Sequence, residues 1–255
     1  SFYCWGSVFV VLLSTVFFSA AGIQNWKIMA FLWALIPIAN TFYFSQVPIA
    51  ALVEKGEGMG IRQLLGMKLF WIFGLLMLCS GASELAMSQW ASAFAESGLK
   101  VSKTAGDLAG PCLFAVLMGS SRVFYAKFSE KIRLANFMAA SGVLCVCSYL
   151  LAVFAPVPVL GLLGCALCGL SVGIMWPGTF SLAAAACPKG GTAMFALFAL
   201  AGDLGCTTGP SLVGLVSGKL SGSLQSGLAA AIVFPILFLL ALVLLKRNRE
   251  HTAEL

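Results

Sequence analysis

Charge is what this sequence has least of. Only 9% of its 255 residues are charged, and it holds a single histidine. A water-soluble domain carries about 25% charged residues, so this chain cannot cover a surface that faces water. With His251 as the sole imidazole, enzyme chemistry that needs a histidine base beside a buried nucleophile is excluded. The letters Gly169-Leu-Ser171-Val-Gly173 fit a nucleophile-elbow pattern, but Ser171 falls in the middle of an apolar block with no strand before it and no base in reach. Phosphate loops, metal motifs and paired catalytic carboxylates are also missing, so no cofactor is expected.

What is abundant is apolar: 60% of the residues, with a mean hydropathy of +1.00. They gather in eight blocks, at 2–21, 28–47, 69–93, 104–121, 134–154, 159–185, 192–217 and 226–245. Crossing a bilayer core takes about 20 such residues as a helix. Strands of a membrane barrel are shorter and alternate apolar with polar residues. The fold class read from this is an all-α integral membrane protein, a polytopic bundle of eight transmembrane helices embedded in lipid.

The fifteen Lys and Arg residues are distributed unevenly over the ends of these blocks. Lys55, Arg62, Lys68, Arg122, Lys127, Lys131, Arg133, Lys189, Lys246, Arg247 and Arg249 fall on one side. Lys27, Lys100, Lys103 and Lys219 fall on the other. Basic residues accumulate on the cytoplasmic side, so both ends of the segment are expected there. The net charge of +6 is this bias, and no nucleic-acid partner is needed to explain it. Eight of the nine cysteines lie inside blocks, where a thiol behaves as a small hydrophobe. Cys145, Cys147, Cys165 and Cys168 therefore read as packing rather than as a zinc site, which would need further ligands nearby.

Ser1 stands where a first methionine would be, and the first block opens at Phe2 without a preceding basic stretch. The sequence is therefore expected to begin inside a longer protein. The charged, glycine-containing segment 48–68 separates two blocks from six. The expected organisation is the last two helices of one six-helix half at 1–47, a cytoplasmic linker at 48–68, a second six-helix half at 69–246 and a cytoplasmic tail at 247–255.

Proline within a helix removes an amide donor and frees the carbonyl four residues back. Pro177 frees that of Gly173 and Pro210 that of Cys206, so both are read as helix breaks; Pro37 and Pro111 raise the same question. Small residues spaced by four, such as Gly205 and Gly209, allow close helix approach.

Four stretches resemble the major facilitator superfamily. Gly119, Arg122 and Lys127, between the fourth and fifth blocks, resemble the degenerate second copy of its cytoplasmic glycine/arginine loop, without the usual aspartate. Gly205, Gly209, Pro210 and Gly214 are similar to its Gly-xxx-Gly-Pro element. Gly81, Ser83, Glu84 and Gln89 resemble the first helix of the C-terminal half in the fucose-permease-like sugar branch. Gly173, Trp176, Pro177 and Thr179 are similar to the broken tenth helix of sugar facilitators. The resemblance implies that the eight blocks are helices five to twelve, with the first four missing. It also implies alternating access about a midplane site in a protein that works as a monomer.

A charge deep in a span is costly and normally faces the bundle interior. Glu84 lies about 4.5 Å of helix rise from the centre of the third block, and Asp203 lies at the centre of the seventh. Both are proton-coupling candidates; Asp203, among glycines, also suits a structural brace. Ser80, Glu84 and Ser88 share one helix face, while Gln89 points well away from it. No cation adjoins Glu84 in sequence. The expected substrate-binding residues are Glu84, Ser88, Gln89, Trp176 as an aromatic platform, and Asn40. The function read from this is secondary active transport of a small hydrophilic organic solute, with sugars as a candidate class, coupled to a proton or another cation. An exporter of amphiphilic compounds and a transport-inactive sensor or scaffold are the alternatives.

Overall fold

The computed structural model describes residues 2–23, 25–48, 58–98, 100–219 and 223–253. Among them there is no strand, and eight helices are long and apolar enough to cross a membrane. They are α1 (Phe2–Ser19), α2 (Trp26–Phe44), α3 (Lys68–Ser97), α4 (Lys103–Phe128), α5 (Leu134–Phe154), α6 (Pro158–Ala186), α7 (Pro188–Lys219) and α8 (Leu224–Asn248). Lipid offers no partner for a backbone amide, so each span satisfies its own.

Lipid tails are as apolar as leucine, so helix association depends on close van der Waals fit at small residues. The bundle is built on such contacts. Between α3 and α7, a Cβ on Gly209 would lie 2.8 Å from the Ala82 Cα, and one on Gly205 2.9 Å from the Ala82 nitrogen. Between α4 and α6, a Cβ on Gly169 would lie 2.8 Å from the Phe114 Cα. One on Gly173 would lie 2.7 Å from the Met118 carbonyl oxygen. Between α5 and α6, a Cβ on Gly164 would lie 2.9 Å from the Ala152 Cα. The most buried large side chains, Phe73, Met77, Met87, Phe94, Tyr149, Phe198 and Phe238, fill the space among α3, α5, α7 and α8.

Helices α1 and α2 stand apart from this core. In α1 only Cys4 is buried, against Gly119 of α4, and in α2 only Met29. Phe9 and Trp33 meet edge to face at 6.2 Å between the two. Phe42, Tyr43 and Phe44 at the end of α2 are exposed.

Several expectations change here. The fourth block was bounded at residue 121, with Gly119, Arg122 and Lys127 in a loop. The helix instead continues over Leu113–Phe128. Val123, Phe124 and Tyr125 extend its apolar face past the arginine, and nothing in 119–127 breaks a helix. Pro210 lies inside a continuous helix, Gly191–Lys219, so it is no break; Pro37 is likewise contained within Trp26–Phe44. Pro111 sits in a widened π-helical turn over Leu108–Cys112. Helix α6 is regular over Pro158–Val172 and again over Met175–Ala186, with a turn at Gly173 and Ile174, just before Pro177.

The linker expected at 48–68 lies outside the described residues over 49–57. Beyond it, the Met59 amide donates to the Lys189 carbonyl at 2.9 Å, and the short helix Ile61–Leu65 buries Leu64. The expected tail at 247–255 begins as a continuation of the last helix, which runs to Ala253; residues 254 and 255 lie outside the described residues.

Candidate functional site

The glycine contacts decide which polar side chains meet. On α3, Gly81 is pressed against Cys206 of α7, where a Cβ would lie 3.1 Å from the Cys206 nitrogen. Three residues further on, Glu84 reaches the same level as Asp203 and Cys206. On α4, Met118 lies against Gly173, and Arg122 follows one turn later. The break in α6 then turns Trp176 inward, its ring lying over Gly202 of α7.

The result is a cavity of about 530 Å³ lined by Tyr3, Glu84, Leu85, Arg122, Trp176, Asp203 and Cys206. Glu84 is buried at 7% exposure, and Tyr3 lines the same cavity. Asp203 is exposed and opens onto the cavity. Its setting is therefore a wall position rather than that of a buried brace.

The cation that sequence adjacency did not offer Glu84 comes from α4. The Arg122 guanidinium lines the same cavity as the carboxylate, and its carbon lies 5.9 Å from the centre of the Tyr3 ring. Its Nε donates to the Gly173 carbonyl at 2.8 Å. That carbonyl is the acceptor freed by Pro177, so the arginine satisfies the backbone at the bend in α6. Side chains on a helix lean toward its N-terminus, and the N-terminus of α4 lies at Lys103. Arg122 therefore points back toward the middle of its span from a Cα about 10 Å of helix rise away.

Other candidates lie elsewhere. Ser88 is half-buried one turn beyond Glu84 and does not line the cavity. Ser80, on the same stripe, donates to the Leu76 carbonyl of its own helix at 2.7 Å. Gln89 is exposed and lines a separate cavity with Trp90 and Pro210. There the Trp90 indole donates to the Pro210 carbonyl at 3.1 Å. Asn40 is exposed on α2 and lines none of the cavities described here. Lys127 is exposed, 5.7 Å from the centre of the Phe128 ring, and Gly119 seats Cys4.

Sequence reasoning missed Tyr3, Cys206 and the cavity position of Arg122. For Arg122 there was a signal: an apolar helical run continuing beyond it. For Tyr3, on the distant α1, nothing in the sequence marked the contact.

A family model described as Major Facilitator Superfamily matches residues 1–210, from the start of α1 to Pro210 in α7. The chain belongs to the major facilitator superfamily. No curated protein matches it. As a member, it is a multi-pass membrane transporter of a small-molecule solute and not an enzyme. The superfamily match embraces all four resembling stretches as far as Pro210, including the one whose loop has proved to be helix.

Proposed function

We propose that this superfamily member is a secondary active transporter of a small hydrophilic organic solute, a sugar being the favoured class, and that proton binding at Glu84 drives accumulation. The observation that carries the reading is the cavity in which buried Glu84 faces Arg122, Asp203 and Trp176. An intramembrane carboxylate of this kind marks a solute or proton pathway. Trp176 offers a flat apolar face, and the two carboxylates offer acceptors for hydroxyl groups. In this reading α3–α8 form one six-helix half and α1 and α2 belong to the other, joined through the 48–68 segment. The halves rock about the cavity, in a monomer lying in the cell membrane with the basic ends cytoplasmic.

A proton can shift two access states only by binding them unequally. Replacing Glu84 by a side chain that cannot titrate removes that inequality while retaining hydrogen bonding. Glu84→Gln, reconstituted in vesicles, should exchange solute across the membrane but lose uphill accumulation under a pH gradient. Accumulation that stays pH-driven in this variant would assign the coupling elsewhere.

A further inference from the structure

Arg122 lines a second cavity as well. This one is about 240 Å³, walled by Arg122, Tyr125, Ala126, Leu134, Ile174, Pro177, Gly178 and Ser181. Comparison of the two linings leaves one residue in common: Arg122. One cavity holds both carboxylates. The other runs along α4 after Arg122 and along α6 after its bend, toward the ends at Phe128 and Ala186. The guanidinium stands between them, fixed by Nε on the Gly173 carbonyl.

We propose that Arg122 is a proton gate, with Glu84 the acceptor of the protons that it admits. A fixed guanidinium in a narrow passage is an electrostatic barrier to protons and cations. Its anchor here is one hydrogen bond to a backbone carbonyl at a helix break. Movement of the α6 bend, or an alternative partner for the guanidinium, therefore withdraws it from the passage. The gate rests on the coupling role of Glu84 proposed above, but it concerns the route by which protons reach that carboxylate.

The groups facing Glu84 are few. Tyr3 comes from α1, Arg122 from α4, and Asp203 and Cys206 from α7. Helix α5 sends Tyr149 to the Ser83 carbonyl, and α6 adds the indole of Trp176. The ionisable side chains of α8 begin at Lys246, at its far end. Arg122 is thus the cation at this carboxylate.

The test needs no solute, because the proton itself is the probe. Wild type, Arg122→Gln, Arg122→Lys and the double variant Arg122→Gln/Glu84→Gln are reconstituted in vesicles holding a pH-sensitive dye. An acid step follows, with potassium and valinomycin clamping the voltage. Wild type and Arg122→Lys should be tight. Arg122→Gln should acidify the lumen at least tenfold faster, and the double variant should be tight again. If Arg122→Gln does not yield monodisperse protein, Ser181→Asp decides. It sits on the exposed wall of the smaller cavity, offers the guanidinium a carboxylate away from Gly173, and should leak in the same Glu84-dependent way. A folded Arg122→Gln that is as tight as wild type overturns the gate, and so does a leak that Glu84→Gln leaves unchanged. Failure of Glu84 as the coupling site would show separately, as pH-driven accumulation persisting in Glu84→Gln alone.

Discussion

The hydroxyl of Tyr149 donates to the main-chain carbonyl of Ser83 at 2.8 Å, joining α5 to the backbone immediately before Glu84. Tyr149 is fully buried, and its bond ties a helix that does not reach the cavity to the one that carries the carboxylate. Interhelical hydrogen bonds in a bilayer contribute about 0.6 kcal/mol on average, and up to about 1.7. Tyr149→Phe should therefore fold and lose stability in that range by denaturant unfolding in detergent. An unchanged stability would mean that the bond contributes nothing.

The close fit between α3 and α7 should be far less tolerant. Gly209→Ala would put a methyl 2.8 Å from the Ala82 Cα and 3.0 Å from its carbonyl carbon, both backbone atoms. Gly218, on the same helix, has nothing within 4 Å of the corresponding position. Overpacking typically costs about 1–3 kcal/mol. Gly209→Ala should lower the unfolding temperature markedly and broaden the size-exclusion peak, whereas Gly218→Ala should match wild type. Equal behaviour of the pair would refute the tight contact.

Ser129, exposed at the end of α4, reports the orientation. The basic residues Lys127, Lys131 and Arg133 beside it are the ground for the proposal that this end is cytoplasmic. A cysteine at Ser129, in a background stripped of other reactive thiols, should react with an impermeant reagent only after the membrane is opened. Labelling in intact cells would invert the topology.

Gln89 and Asn40 lie outside the Glu84 cavity. Their alanine variants should leave solute exchange at wild-type levels, in contrast to substitutions at Glu84. A tenfold loss of affinity, about 1.4 kcal/mol, at either would assign it a contact with the solute.

The spans were legible because lipid imposes one rule on backbone and side chains alike: apolar, helical and about 20 residues long. Block edges were legible only where a breaker stood. The sixth block was read from residue 159, and α6 starts one residue earlier, at Pro158. At Arg122, charge was read as an edge, although a long side chain can lean along its helix toward a buried partner. Prolines divided in the same way. A freed carbonyl is visible in sequence, but the partner that resolves it is not, and α6 is interrupted just before Pro177 while α7 continues past Pro210. The members of the site were half legible. Glu84, Asp203 and Trp176 stand out as polar or aromatic residues within spans, but Tyr3 and Arg122 join them through the packing of glycines on other helices. Gln89 is five residues from Glu84 but turns to another cavity, because five steps of about 100° leave it about 140° round the helix.

The hydrogen bond from Arg122 to Gly173 has a consequence for how the chain is made. A charged side chain within a span adds to its cost of insertion, and besides Arg122 α4 carries Lys103, Asp107 and Pro111. Its most apolar window is among the weakest of the eight, at a mean hydropathy of 1.3. The carbonyl that receives the arginine is 51 residues downstream, so it leaves the ribosome only after α5 and the first half of α6. Until then α4 has Tyr3 of α1 as its earlier partner for the guanidinium. During synthesis α4 is thus the span that depends most on neighbours already in the membrane, and it settles when the bend of α6 arrives beside it.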